Sequence, residues 1–292
     1  QMCIRDRAKG MVKDVFRTRN MRGLPGNSGI GQVRYPTAGN ADSEEEAQPF
    51  YVNAPFGIVM AHNGNLTNAH ALRQELFSTD HRHTNTESDS EVLVNIIAHE
   101  LEKNTRGIPL TVDNVFDAVA GVHARLKGSY AVISLIAGHG LLAFRDPYGI
   151  RPLCIGRAAD GSVMLASESV ALEGTGFQLE RDVAPGEAVF VALDGTLHTR
   201  QCAPSSQLYP CVFEFVYLAR PDSVLDSISV YQARLALGEG LAKRLISKVP
   251  PNEIDVVIPI PESSRPSAMQ LAQLIGKPVS YTHLTLPTNR EV

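Results

Sequence analysis

Cysteine is scarce in this chain. Its four cysteines (Cys3, Cys154, Cys202 and Cys211) form no CxxC pair and no zinc-ligand spacing. They are too sparse to staple a disulfide scaffold. Long apolar runs are missing too, and none approaches the ~20 residues that would span a bilayer, which argues against a membrane partner. Positive charge is not in excess: 27 Lys+Arg stand against 31 Asp+Glu, a net −4, so no global basic face is offered to nucleic acid. Gln1 to Arg7 lack the apolar stretch of a secretory signal. What remains is ordinary. Hydrophobic residues make up 43%, as in a folded globular domain, and the length of 292 residues suits two domains. These features point to a soluble mixed α/β protein of a reducing compartment, the cytoplasm.

The two ends fit the rest poorly. Residues 1–7 and 280–292 show no periodicity and read as a non-native leader and tail, with residues 8–210 and 211–279 as the two domains between them. Ordinary frayed termini are the alternative. Ser88-Asp89-Ser90-Glu91 has the form of a capping box opening a helix that carries Leu93, Ile96, Ile97 and Leu101 inward. Asn68 or Thr67 should cap a shorter helix with Leu72, Leu76 and Phe77, and Asn114 to Leu126 reads as a third helix. Strands are expected at Tyr130 to Ala137 and Leu141 to Phe144 around the turn Gly138-His139-Gly140. Others are expected at Val163 to Ala166, and at Ala188 to Leu193 and Leu197 to Thr199 around Asp194-Gly195. Beyond about residue 205 the pattern changes to helix (Val230 to Ser247), apolar strand (Asp255 to Ile260) and helix (Ser267 to Ile275), the alternation of a parallel-sheet domain.

Three clusters could carry chemistry. Arg34, before the turn Pro36-Thr37-Ala38-Gly39, offers a planar fork suited to a carboxylate, or is a surface ion-pair partner. Asn63-Gly64 places a side-chain amide beside a backbone N–H that a ligand can approach closely, as an oxyanion hole requires; Asn-Gly is also the strongest short signal for a hairpin turn. Asp89, at a helix start, could accept an ammonium group or simply complement the helix dipole. Together Arg34 and Asp89 could hold the two ends of one zwitterion.

Their joint order is more telling. Arg34 to Gly39, Glu46 to Phe50, His62 to Leu66 and Ser88 to Glu91 resemble the class II, N-terminal-nucleophile glutamine amidotransferases. Ala143 to Leu153, Ala166 to Ser169, Arg181 to Glu187, and above all Phe213 to Ser223 followed by Val257 to Ser263, narrow the resemblance to the amidophosphoribosyltransferase family. It runs from about Ala8 to Val279.

That resemblance implies a four-layer αββα sandwich followed by the start of a type I phosphoribosyltransferase α/β domain. It implies an enzyme of purine biosynthesis in which a cysteine attacks the glutamine amide with its own α-amino group as base. The ammonia released then displaces pyrophosphate from phosphoribosyl pyrophosphate, giving 5-phosphoribosylamine. Arg34 would bind the glutamine carboxylate and Asp89 its ammonium, Asn63 and the Gly64 N–H would form the oxyanion hole, and Ser263 would be metal-associated, with Mg²⁺ the expected cofactor. A homo-oligomer is expected of the full-length enzyme. Cys211 matches an iron–sulfur ligand of some members, which leaves a cluster undecided, while Cys154 and Cys202 read as small apolar residues. Two departures stand out. Gln32 replaces the histidine of a Gly-His-x-Arg motif. The nucleophilic Cys-Gly-Ile start and the acidic phosphate loop are not found, and Cys3, with Gln1 and Met2 ahead of it, has no free amine. This polypeptide is therefore expected to be inactive and poorly stable. Two other readings stay open: another class II amidotransferase, or a non-catalytic glutamine-binding descendant.

Overall fold

The computed structural model describes residues 8, 10–33, 45–105, 107 and 109–281. Arg34, Cys3, the leader 1–7 and the stretch 282–292 lie outside the described residues. The described residues fall into two compact units: those up to Ser167 with Ala171–Pro210, and Glu168–Val170 with those from Cys211 onward.

In the first unit, helices α1 (Val12–Val15) and α2 (Thr18–Met21) precede β1 (Phe50–Val52), β2 (Ile58–Leu66), α3 (Ala69–Asp80), α4 (Asp89–Thr105) and α5 (Val112–Arg125). Then follow β3 (Gly128–Ile136), β4 (Gly140–Arg145), β5 (Cys154–Arg157), β6 (Val163–Ala166), α6 (Ser169–Glu173), β7 (Gln178–Asp182), β8 (Glu187–Ala192) and β9 (Leu197–Gln201). Helix α6 begins in residues assigned to the second unit. Six strands form an antiparallel sheet in the order β1-β2-β3-β4-β8-β9, and three form a second sheet in the order β6-β5-β7.

The period of two in the large sheet builds two cores at once. Tyr130, Val132 and Ile136 of β3, Leu142 and Phe144 of β4, and Ala188 and Phe190 of β8 pack with Leu72, Leu76, Leu93, Ile97, Val119 and Val122 of the helices. The intervening residues Ala131, Ala143 and Val189 join Ile155 and Leu165 of the small sheet. On the far side of that sheet, Cys154 and Ala166 meet Leu172 of α6. The layers are thus helix, sheet, sheet and helix. The outer helical layer among the described residues is the short α6.

Local expectations and structure agree where periodicity was strong and differ where side chains had a choice. Helix α4 is buried almost all round, its polar Ser90, Glu91, Asn95 and Glu100 included, because α3, α5 and β1–β2 all pack on it. Its start is no capping box. Ser88 Oγ accepts from the Ser90 N–H at 3.3 Å, while the Glu91 carboxylate holds the N–H groups of Asn85 (2.8 Å) and Thr86 (2.7 Å). Asn68 precedes α3 without a side-chain cap bond; its amide instead ties Arg125 O and Lys127 N, joining the start of α3 to the entry of β3. Phe77 faces solvent.

The second unit holds a five-residue π-helix, Glu214–Leu218, the two-residue strands β10 (Val224–Leu225) and β11 (Ile228–Ser229), α7 (Val230–Ile246) and α8 (Arg265–Ile275). Glu168 Oε2 accepts from the Arg220 N–H (2.8 Å) and Ser223 Oγ (2.6 Å), and the buried Arg234 guanidinium donates to Phe215 O and Ala219 O at 2.7 Å each. Helices α7 and α8 cross closely at Gly238, where a Cβ would meet Ser267 O at 2.4 Å. The strand expected at Asp255 to Ile260 is reduced to one parallel bridge, Val257 to Val279. Pro259 and Pro261 lack the N–H that a longer ladder would use.

Candidate active site

Asn63 and Gly64 lie within β2, paired with Ala131 and Tyr130 of β3. The hairpin-turn reading of this dipeptide is therefore overturned. A turn residue can point anywhere, whereas a strand residue is aimed by the pleat. At Gly64, φ is +141°, and a Cβ would stand 2.0 Å from Ser129 O and 2.7 Å from Ser129 C. Only glycine lets β3 come this close.

Around Asn63 runs a connected set of polar groups. Its Nδ2 donates to Ser167 Oγ at 3.0 Å, and its Oδ1 receives Gln32 Nε2 at 3.4 Å. Gln32 Nε2 also faces His62 O at 3.4 Å. The neighbouring backbone is clamped by Gln48, whose Oε1 accepts from the His62 N–H (2.6 Å) and whose Nε2 donates to His62 O (2.9 Å) and Ser90 Oγ (3.1 Å). The His62 ring is buried, with Nδ1 3.0 Å from Ser90 Oγ. Burial pushes its pKa below the usual histidine value, outweighing the nearby Asp89 carboxylate, which acts the other way. His62 is accordingly a neutral spacer.

Asp89 enters the same neighbourhood from the first turn of α4. One carboxylate oxygen accepts the Leu66 N–H at 2.9 Å, tying the helix start to the end of β2. The structure therefore joins Asn63, Gly64 and Asp89 through one strand. Arg34 lies outside the described residues. Ser263 belongs to the second unit, in the 3₁₀ turn Glu262–Ser264 that leads into α8. Gln48, Ser90 and Ser167 had no role in the sequence reading, although all three fall in motifs it singled out. Short polar side chains carry no periodicity, so the pattern marked the segments but not the bonds.

The fold is an αββα sandwich with Asn63 and Gly64 on an inner strand and the Asp89 carboxylate tied to the end of that strand. Residues 36–174 match the family described as "Glutamine amidotransferase domain". Over most of its length the chain is similar to amidophosphoribosyltransferases. It is 54% identical over 281 residues to the Escherichia coli protein of that name, covering 94% of this chain and 55% of the relative. The Pseudomonas aeruginosa protein is 55% identical over 270 residues, covering 91% and 54%. Among solved structures, the B. subtilis glutamine phosphoribosylpyrophosphate amidotransferase complexed with ADP and GMP superposes with a TM-score of 0.77 at 32% identity, covering 93% and 55%. The chain spans about half the length of the relatives it matches.

Proposed function

We propose that the chain serves an amidophosphoribosyltransferase of purine biosynthesis in the cytoplasm. In this reading, glutamine, phosphoribosyl pyrophosphate and water yield glutamate, pyrophosphate and 5-phosphoribosylamine. The observation that carries it is the identity of more than half the residues over 94% of the chain, which spans the amidotransferase domain and the unit after it.

Arg34 pairs with the α-carboxylate of glutamine and Asp89 with its α-ammonium. One Asp89 oxygen is held by Leu66 N, so the carboxylate is fixed before the substrate arrives. Thiol attack on the side-chain amide puts negative charge on its carbonyl oxygen, and Asn63 Nδ2 and the Gly64 N–H are the donors for it. The Ser129 backbone packed against Gly64 supports this role, because it holds the dipeptide rigid and an oxyanion hole acts through preorganisation.

Ser263 is proposed as one contact near the diphosphate and its magnesium. The neighbouring Glu262 is paired with Arg265 at 2.8 Å, and among the described residues no three His, Cys, Asp or Glu side chains cluster as metal ligands. These residues do not by themselves fit a magnesium site.

The test is product stoichiometry in the full-length protein supplied with L-glutamine and phosphoribosyl pyrophosphate. Equal amounts of glutamate and pyrophosphate are expected. Glutamate without pyrophosphate would identify another class II amidotransferase, and binding of glutamine without turnover a non-catalytic descendant.

A further inference from the structure

We infer that Gln32 and Ser167 are positioning residues for the Asn63 carboxamide: Gln32 fixes which way it points and Ser167 anchors its donating end. This rests on the oxyanion-hole reading of Asn63. A carboxamide has a donating and an accepting end of nearly equal size. Rotated by half a turn, Asn63 would present its carbonyl oxygen to the developing oxyanion, and stabilisation would become repulsion. Something must therefore set its polarity.

The structure supplies a chain of bonds with one allowed direction. It starts at His62 O, a backbone carbonyl that can only accept. Gln32 Nε2 faces it at 3.4 Å, so the Gln32 amide must put its nitrogen on that side. The same nitrogen faces the Asn63 side chain at 3.4 Å, and the atom opposite a donor must be the oxygen, Oδ1. Nδ2 is then left on the Ser167 side, where it donates to Oγ at 3.0 Å. One of its two N–H groups is used by Ser167 and the other remains for substrate. Ser167 alone could not set this polarity, since a hydroxyl both donates and accepts. Gln32 can, because its own orientation is imposed by the backbone. Its Oε1 is buried with no partner among the described residues, a cost consistent with the amide being held in this direction for another purpose.

Ser167 directly follows β6, so the small sheet supplies one support of Asn63, while Gln32 supplies the other from the segment before β1.

The experiment measures ammonia release from L-glutamine by the full-length protein and its variants. Gln32→Glu keeps the size but removes the donor, and Ser167→Ala removes the acceptor. Each should lower kcat by about tenfold or more with KM for glutamine within about threefold, since the lost interaction belongs to the transition state. Ser167→Thr keeps Oγ and should bring kcat back to within about threefold of the unmodified protein. In an Asn63→Ala background, Gln32→Glu should change kcat by less than about twofold, because no amide remains to orient. An unchanged kcat in Gln32→Glu, or a full multiplicative loss in the Asn63→Ala background, would overturn the positioning role alone. Absence of ammonia release by the unmodified protein would overturn it together with the proposed function.

Discussion

Replacing Gly64 by alanine probes the closest approach in the large sheet. The added Cβ would lie 2.0 Å from Ser129 O, 2.7 Å from Ser129 C and 2.9 Å from Tyr130 Cα. All three are backbone atoms of β3, so no side-chain rotation relieves the overlap and the strands must separate. Overpacking of this kind costs about 1–3 kcal/mol, and forcing an L-residue to a positive φ adds about 1–2 kcal/mol. The expected loss is about 2–5 kcal/mol, a large fraction of the roughly 5–15 kcal/mol that holds a domain together. Gly161→Ala is the control: its φ is +88°, but nothing lies within 4 Å of the new Cβ, so it carries the backbone penalty without the clash. Amide hydrogen exchange along Gly128–Ile136 reads the local opening free energy without assuming that both units unfold together. Protection there should fall for Gly64→Ala by at least about 1 kcal/mol more than for Gly161→Ala. Equal effects would refute the steric argument, and with it the view that β3 presses Asn63-Gly64 into place.

Other outcomes follow from the same structure. Asp89→Asn keeps an oxygen for Leu66 N but removes the charge, so L-glutamine affinity by calorimetry should weaken by about tenfold or more. His123 is buried against Tyr130, with its pKa pushed down to about 4 from the ordinary 6.5 by burial. Between those values the unfolded chain takes up a proton that the folded one refuses, so stability should fall as pH drops, by up to about 3 kcal/mol. Urea unfolding against pH should show this slope, reduced by about one proton in His123→Gln, and an unaltered slope would contradict the assignment. In the second unit, Gly238→Ala drives a Cβ into Ser267 O, and α7 and α8 should lose about 1–3 kcal/mol of packing, read as faster exchange in Val230–Ile246.

Much of this protein was legible from residue order alone. Helices α4, α5 and α7, the β3–β4 and β8–β9 hairpins and β6 announce themselves through apolar spacing and turn glycines, because local sterics and one-sided burial act within a few residues. The motifs that carry Asn63, Gly64 and Asp89 were visible too, and the structure ties these three residues together through β2, while Arg34 lies outside the described residues. Tertiary structure decided the rest. Asn63-Gly64 has the sequence of a turn, yet pairing with β3 across more than sixty positions makes it a strand. Ser88 to Glu91 has the sequence of a capping box, yet Asn85 and Thr86 compete successfully for the Glu91 carboxylate. The Asn63 amide is held by Gln32 and Ser167, 31 and 104 positions away. Short-range order follows from each residue's own shape and polarity. A hydrogen bond between distant residues exists only after the layers have brought its donor and acceptor within about 3 Å.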